Sequence, residues 1–237
     1  MKNSHCLLGV FDNEKYHPQR KISKFYLLSS TNCGFATFFS MRLWLVTCPD
    51  NFAAEFDDIE EMFRRGLTRL ILDKRGRSGD SRATFNDYER WLLSLPMELR
   101  DRIWVRGTPD MAEELDVRGC VCDAQSLMGV VPESWKRVNC VAYCKNTDEA
   151  AALPDWVAGA LVGPIMQPLS ALEKVETLGT SLNVNAKTPV ILWGGVDTDT
   201  IEDFKKQAPT GVASLGGVWN YADPVNAFIK LNRAVSS

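Results

Sequence analysis

From Met41 onward, short apolar runs alternate with amphipathic stretches. Residues 43–47 form an apolar run. Phe52, Phe56, Ile59, Met62 and Phe63 then recur at helical spacing, with Asp50 placed to cap that helix. The alternation continues to the end of the chain. Strands are predicted at 69–73, 103–105, 120–122, 138–143, 156–162, 190–193 and 212–215. Helices are predicted at 85–95 (capped by Thr84), from Thr108-Pro109, from Asn146 through Leu153, and at 169–178, 198–207 and 224–234; only a weak helical signal follows the fourth strand. Eight strand–helix units imply parallel strands joined by right-handed crossovers. Eight match a single small (β/α)8 barrel better than a five- or six-stranded open sheet. An open doubly wound sheet is the alternative, but no GxGxxG follows the first strand.

Two of the runs end in glycine pairs: Pro189-Val190-Ile191-Leu192-Trp193-Gly194-Gly195-Val196 and Gly211-Val212-Ala213-Ser214-Leu215-Gly216-Gly217-Val218. Each reads as a buried strand broken at Gly-Gly and followed by a short helix. Glycine there allows close backbone approach and leaves successive N–H groups available to an anion. In (β/α)8 barrels, phosphate often sits on the loops after the last two strands. The pattern therefore points to a fold and a ligand class together.

Composition narrows the picture. The 237 residues carry a net charge of −3, which does not favour nucleic acid, a partner that usually needs a basic face. The most apolar stretch, residues 25–46, is broken by polar residues and predicts no membrane span. Seven cysteines without a compact disulfide pattern fit a reduced, cytoplasmic setting. Cys120, Cys122, Cys140 and Cys144 lie in apolar runs and read as small core residues. Zinc is the sharper alternative, but strand positions two apart are separated by roughly 6.6 Å, and thiolates sharing a zinc by roughly 3.8 Å. Both histidines, His5 and His17, precede the barrel, which leaves it no histidine base or ligand. Residues 1–40 lack steady periodicity. They read as a poorly ordered leader, upstream of a true start at Met41, with a docked extension or an export signal as alternatives. The barrel domain is residues 41–237.

Residues 41–235 resemble the thiamine phosphate synthase and thiazole tautomerase family, a small TIM barrel. The two glycine-tipped segments carry the resemblance, together with Gly163-Pro164-Ile165 after the sixth strand. The resemblance implies that Gly194, Gly195, Leu215 and Gly216 hold the phosphate of a thiazole phosphate. It also implies a synthase reaction in which pyrophosphate leaves an activated pyrimidine through a carbocation, with Mg²⁺ and basic side chains holding the leaving group. The plainer reading of the glycines is tight turns alone.

On the pyrophosphate side this chain departs from the family. Where the family shows Gln-Leu-Arg-x-Lys, it reads Ile71-Leu72-Asp73-Lys74-Arg75. The Asn-Asp after the third strand is Arg106-Gly107, and the second Mg²⁺ aspartate aligns with Ser126. A serine and a histidine align near Tyr143 and Lys145, and Thr-x-Thr-Lys becomes Pro168-Leu169-Ser170-Ala171. Serine and glycine cannot replace a carboxylate on Mg²⁺, so the metal ligands are unknown. Asp73, Arg75, Arg106 and Lys145 are the catalytic candidates, and Asp123 is a further strand-end carboxylate. Each cation reads more plainly as a solvated loop residue.

The expected function is a thiamine phosphate synthase-like coupling of hydroxymethylpyrimidine pyrophosphate with thiazole phosphate, weakened or altered. One alternative is a catalytically silent barrel that binds a phosphate ligand as a sensor or partner protein. The other is an unrelated phosphate-binding barrel, such as an isomerase or epimerase. The expected partner is a phosphorylated small molecule, with no nucleic acid and no membrane. A bulky residue at Gly216 is expected to abolish phosphate binding and leave the barrel folded.

Overall fold

The computed structural model describes residues 41–48, 54–74, 89–180, 182 and 187–237. The readings of residues 1–40, of the Asp50 and Thr84 caps, of Phe52 and of Arg75 lie outside them. Eight parallel strands close into a barrel in chain order: β1 (Arg42–Val46), β2 (Leu70–Leu72), β3 (Ile103–Arg106), β4 (Gly119–Asp123), β5 (Asn139–Cys144), β6 (Gly159–Val162), β7 (Val190–Trp193) and β8 (Gly211–Ser214). The seam is the pairing of β8 with β1, from Arg42 opposite Gly211 to Leu45 opposite Ser214. Parallel strands with both faces covered read as unbroken apolar runs, which is why the sequence displays them.

Between the strands lie α1 (Glu55–Arg64), α2 (residues 89–94), α3 (Met97–Arg100), α4 (Pro109–Glu114), α5 (Ala124–Leu127), α6 (Thr147–Ala151), α7 (Ile201–Lys205), α8 (Gly216–Trp219) and α9 (Pro224–Ser236). In α1, Ile59, Met62 and Phe63 face the sheet at helical spacing. Thr108 caps α4 by accepting the Met111 N–H, with Pro109 in the first turn, and Asn146 caps α6 by accepting the Glu149 N–H. Among the described residues, no helix is long and apolar enough to cross a membrane.

The interior is built in layers of four, each from alternate strands, as closed eight-stranded barrels require. Trp44, Trp104, Val141 and Ile191 come from β1, β3, β5 and β7. Above them stand Ile71, Val121, Leu161 and Ala213 from β2, β4, β6 and β8. The lower layer is sealed by aromatic packing, with the Trp44 and Trp104 rings 4.6 Å apart and the Arg69 guanidinium 5.3 Å and 5.8 Å from their centroids. Trp104 Nε1 donates to Asn139 Oδ1 at 3.1 Å. The third layer holds Val46, Arg106, Tyr143 and Trp193, and the space above the second layer opens at the carboxyl ends of the strands.

Three sequence expectations are corrected. The helix predicted at 169–178 is absent, and these residues form turns and irregular backbone. The Gln167 side chain bridges them instead, donating to Glu173 O and accepting the Val175 N–H. The N–H groups of Leu178 and Gly179 return to the carbonyls of Pro164 and Ile165. Leu172 is 83% exposed, so the helix-like spacing of leucines buries no face. The sixth strand begins at Gly159 rather than 156, after a turn at 155–156. The third correction concerns the cysteines. All four are buried, as expected of core residues. Strand spacing does not keep their sulfurs apart, however, because the side chains lean together. Cys120 Sγ lies 3.9 Å from Cys122 Sγ and 3.6 Å from Cys140 Sγ. Burial pushes the Cys144 thiol up to about 12, so it stays neutral at physiological pH.

Candidate functional site

A cavity of about 250 Å³ opens at the carboxyl ends of the strands. Its floor is the second interior layer and its walls include Val46, Tyr143 and Trp193. This is the end of a (β/α)8 barrel where catalytic and binding residues gather.

The β7 and β8 turns form one side. Gly194 and Gly195 take φ of +96° and +74°, which favours glycine, and Asp197 and Thr200 then pin the turn. Asp197 Oδ1 accepts the N–H groups of Asp199 and Thr200, and Thr200 Oγ1 donates to Gly195 O at 2.6 Å. Ser214 Oγ donates to Val196 O at 2.8 Å, which ties the end of β8 to this turn. Among the described residues, the amide N–H groups of Gly194, Gly195, Leu215 and Gly216 have no hydrogen-bond acceptor, and all four residues line the cavity. Unengaged amides gathered on one cavity wall can act as an anion cradle. The cradle belongs to the turns rather than to helix ends. The helix after β8 has four residues, and the helix after β7 starts only at Ile201.

These glycines also meet a packing demand. The segment after β6 lies directly on them: Ile165 N–H donates to Trp193 O and Met166 N–H to Gly194 O. A Cβ on Gly194 would stand 2.6 Å from Pro164 Cβ, and one on Gly216 would stand 2.7 Å from Leu169 Cβ. A bulky residue at Gly216 would therefore displace the 168–170 wall as well as block the cradle.

On the opposite side, Arg106 ends β3. Its side chain is 8% exposed, and its guanidinium lies 4.7 Å from the Tyr143 ring centroid. Nη1 donates to Val121 O at 3.0 Å and Nη2 to Asp123 Oδ1 at 2.6 Å; among the described residues the buried Nε–H has no acceptor. Tyr143 in turn packs 5.4 Å from Trp193 at 35°. Asp73 lines the same cavity, and its backbone N–H and C=O are both held by Thr47 Oγ1 at 3.0 Å. Next to it, Lys74 is buried against Glu55, which also accepts the Cys48 N–H; burial raises the Glu55 carboxyl above its ordinary range. Neither Lys74 nor Glu55 lines the cavity.

The structure thus brings together Asp73, Arg106, Gly194, Gly195, Leu215 and Gly216. Lys145 is exposed one residue past β5 and is not among the lining residues; its N–H donates to Glu149. Sequence reasoning did not single out Tyr143 and Trp193 as cavity walls. The signal was available, since each continues the inward alternation of its strand. The donor set does not fit the Mg²⁺ expected from the resemblance. A divalent cation of that kind takes hard, anionic oxygen, whereas Asp123 is engaged by Arg106. Among the described residues, no three His, Cys, Asp or Glu side chains gather in a way that would hold a metal.

No family model matches the chain, and no curated protein sequence does. Solved structures do. Thiamine phosphate pyrophosphorylase from Bacteroides thetaiotaomicron is 20% identical, with 82% of this chain and 97% of that chain covered, at a TM-score of 0.60. The thiamine phosphate pyrophosphorylase of Pyrococcus furiosus is 18% identical, with 83% and 96% covered, at 0.61. A 3-hexulose-6-phosphate synthase is 14% identical, with 82% and 99% covered, at 0.60. At these identities the likeness is one of fold: the chain is a (β/α)8 barrel of the TIM-barrel class.

Proposed function

We propose that the β7–β8 turns bind the phosphate of a phosphorylated small molecule through Gly194, Gly195, Leu215 and Gly216, and that the chain is a thiamine phosphate synthase-like barrel with altered catalysis. One observation carries this reading. Four residues with unengaged amides share a single cavity with a buried guanidinium and a carboxylate. Backbone amides suit a phosphate because their charge is fixed by the fold and costs no reorganisation. In the coupling of hydroxymethylpyrimidine pyrophosphate with thiazole phosphate, Arg106 is the cation placed to stabilise departing negative charge. Asp73 is the carboxylate facing the developing cationic ring. Lys145 has no such position, and the reading routes no step through a metal. Two solved structures of similar fold are thiamine phosphate pyrophosphorylases, which supports the choice of reaction.

A catalytically silent phosphate-binding barrel is the second reading, and the poor fit of the mouth to Mg²⁺ favours it. Incubating the full chain with both substrates and assaying thiamine phosphate by mass spectrometry separates the two. Product above a no-enzyme control supports the synthase. Absence of product, with phosphate-ester binding still measurable by calorimetry, selects the silent barrel.

A further inference from the structure

The interior layers of a barrel of this kind are filled mostly by bulky branched side chains. Here one of the third layer's four positions is a buried arginine. Val46, Arg106, Tyr143 and Trp193 project from β1, β3, β5 and β7, and in an eight-stranded ring β3 stands opposite β7. Arg106 therefore faces the Gly194 turn across the mouth. The Tyr143 and Trp193 rings bridge the space between, at 4.7 Å from guanidinium to ring and 5.4 Å from ring to ring. Of the five N–H donors a guanidinium presents, two are engaged among the described residues, by Val121 O and Asp123, and the Nε–H has no acceptor there. Guanidinium stays charged at any physiological pH and matches a planar carboxylate or a phosphate with two parallel bonds. It supplies positive charge without the carboxylate ligands that a divalent cation needs.

We infer that the cavity takes a bipolar ligand: a phosphate ester whose flat apolar body lies on Tyr143 and Trp193, and whose far end carries a second anionic group bound by Arg106 without a divalent metal. The inference rests on the phosphate reading of the β7–β8 turns and names the substrate class of the same site. Arg106 is its specificity-determining residue.

The test is calorimetry on the full chain in EDTA, with phenyl phosphate, 4-carboxyphenyl phosphate, 4-carbamoylphenyl phosphate, whose para group is neutral, and benzoate. We expect 4-carboxyphenyl phosphate to bind about tenfold or more tightly than the other two esters, the gain of a charge-assisted pair. R106Q should bring 4-carboxyphenyl phosphate down to the affinity of the carbamoyl ester, and R106K should restore part of the difference. Equal affinities of the carboxylate and carbamoyl esters in the unaltered protein overturn the inference without any variant. A gain that survives in R106Q, or that appears only with added Mg²⁺, overturns it as well. If phenyl phosphate binds and the carboxylate adds nothing, the phosphate reading stands and only the bipolar ligand falls. If benzoate binds through Arg106 and no phosphate ester binds, the phosphate reading fails and takes the bipolar ligand with it. If no probe binds, both fail.

Discussion

The two sides of the barrel mouth are built from different material. On the β7–β8 side the recognition groups are backbone amides, held by turns that Thr200, Asp197 and Ser214 pin in place. On the β3–β4 side they are side chains, and these engage one another: Arg106 with Asp123, and Arg106 with Tyr143. The first arrangement needs only glycine and a fixed turn, and under the proposed function it would take any ligand with a compact anion. The second depends on which side chains stand there, so it sets what else the ligand must carry. On the proposed reading, phosphate capture and ligand choice are separable in this fold, each the work of its own strands.

That separation can be broken or sharpened in graded steps. The largest effect is expected from Gly194→Ala. The new Cβ would occupy a φ of +96° and stand 2.6 Å from Pro164 Cβ, and we expect a loss of about 2 kcal/mol or more of stability. Urea unfolding measures it; an unchanged midpoint would show that the turn does not need glycine. A cleaner attack on the cradle is Ser170→Glu, because Ser170 lines the cavity beside Gly216. The added carboxylate should weaken phenyl phosphate binding by about tenfold and leave the unfolding midpoint where it was. Unaltered binding would move the phosphate away from this wall. The smallest effect is expected on the other side, from Asp123→Asn. Asp123 is 67% exposed but its partner Arg106 only 8%, so its loss should lower the unfolding midpoint slightly. Freed from its partner, Arg106 should then bind 4-carboxyphenyl phosphate about two- to threefold more tightly, a surface-pair effect, with phenyl phosphate unchanged. A fall in affinity would mean that Asp123 positions the guanidinium rather than competing for it.

The same division explains what was legible in the sequence. Strands buried on both faces are written as apolar runs, and all eight appear within a few residues of their observed limits. The caps Thr108 and Asn146 are local chemistry and read correctly. The glycine turns are equally local. The 169–178 segment misled because its leucine spacing is helical. What decides its conformation is Gln167 bonding forward to 173 and 175, and the return of 178 and 179 to the end of β6. No periodicity encodes such bonds. Arg106, Tyr143 and Trp193 meet only because the barrel closes, so their stacking was invisible until the strands were counted into layers. Lys145 shows the converse error. It has a strand-end position in the sequence, but it lies one residue beyond the last pleat of β5 and outside the cavity.

The seam between β1 and β8 carries a kinetic consequence. Trp219 Nε1 donates to Val46 O at 2.7 Å across 173 positions of chain, and the strand pairing beside it spans nearly as much. Closing so long a loop costs entropy before it returns any contact, and contacts of such sequence separation slow the search for the native topology. The third interior layer draws on β1, β3, β5 and β7 and so is complete only once that seam has formed. Ligand binding at the mouth would then appear late in refolding, and its onset would time the closure of the ring.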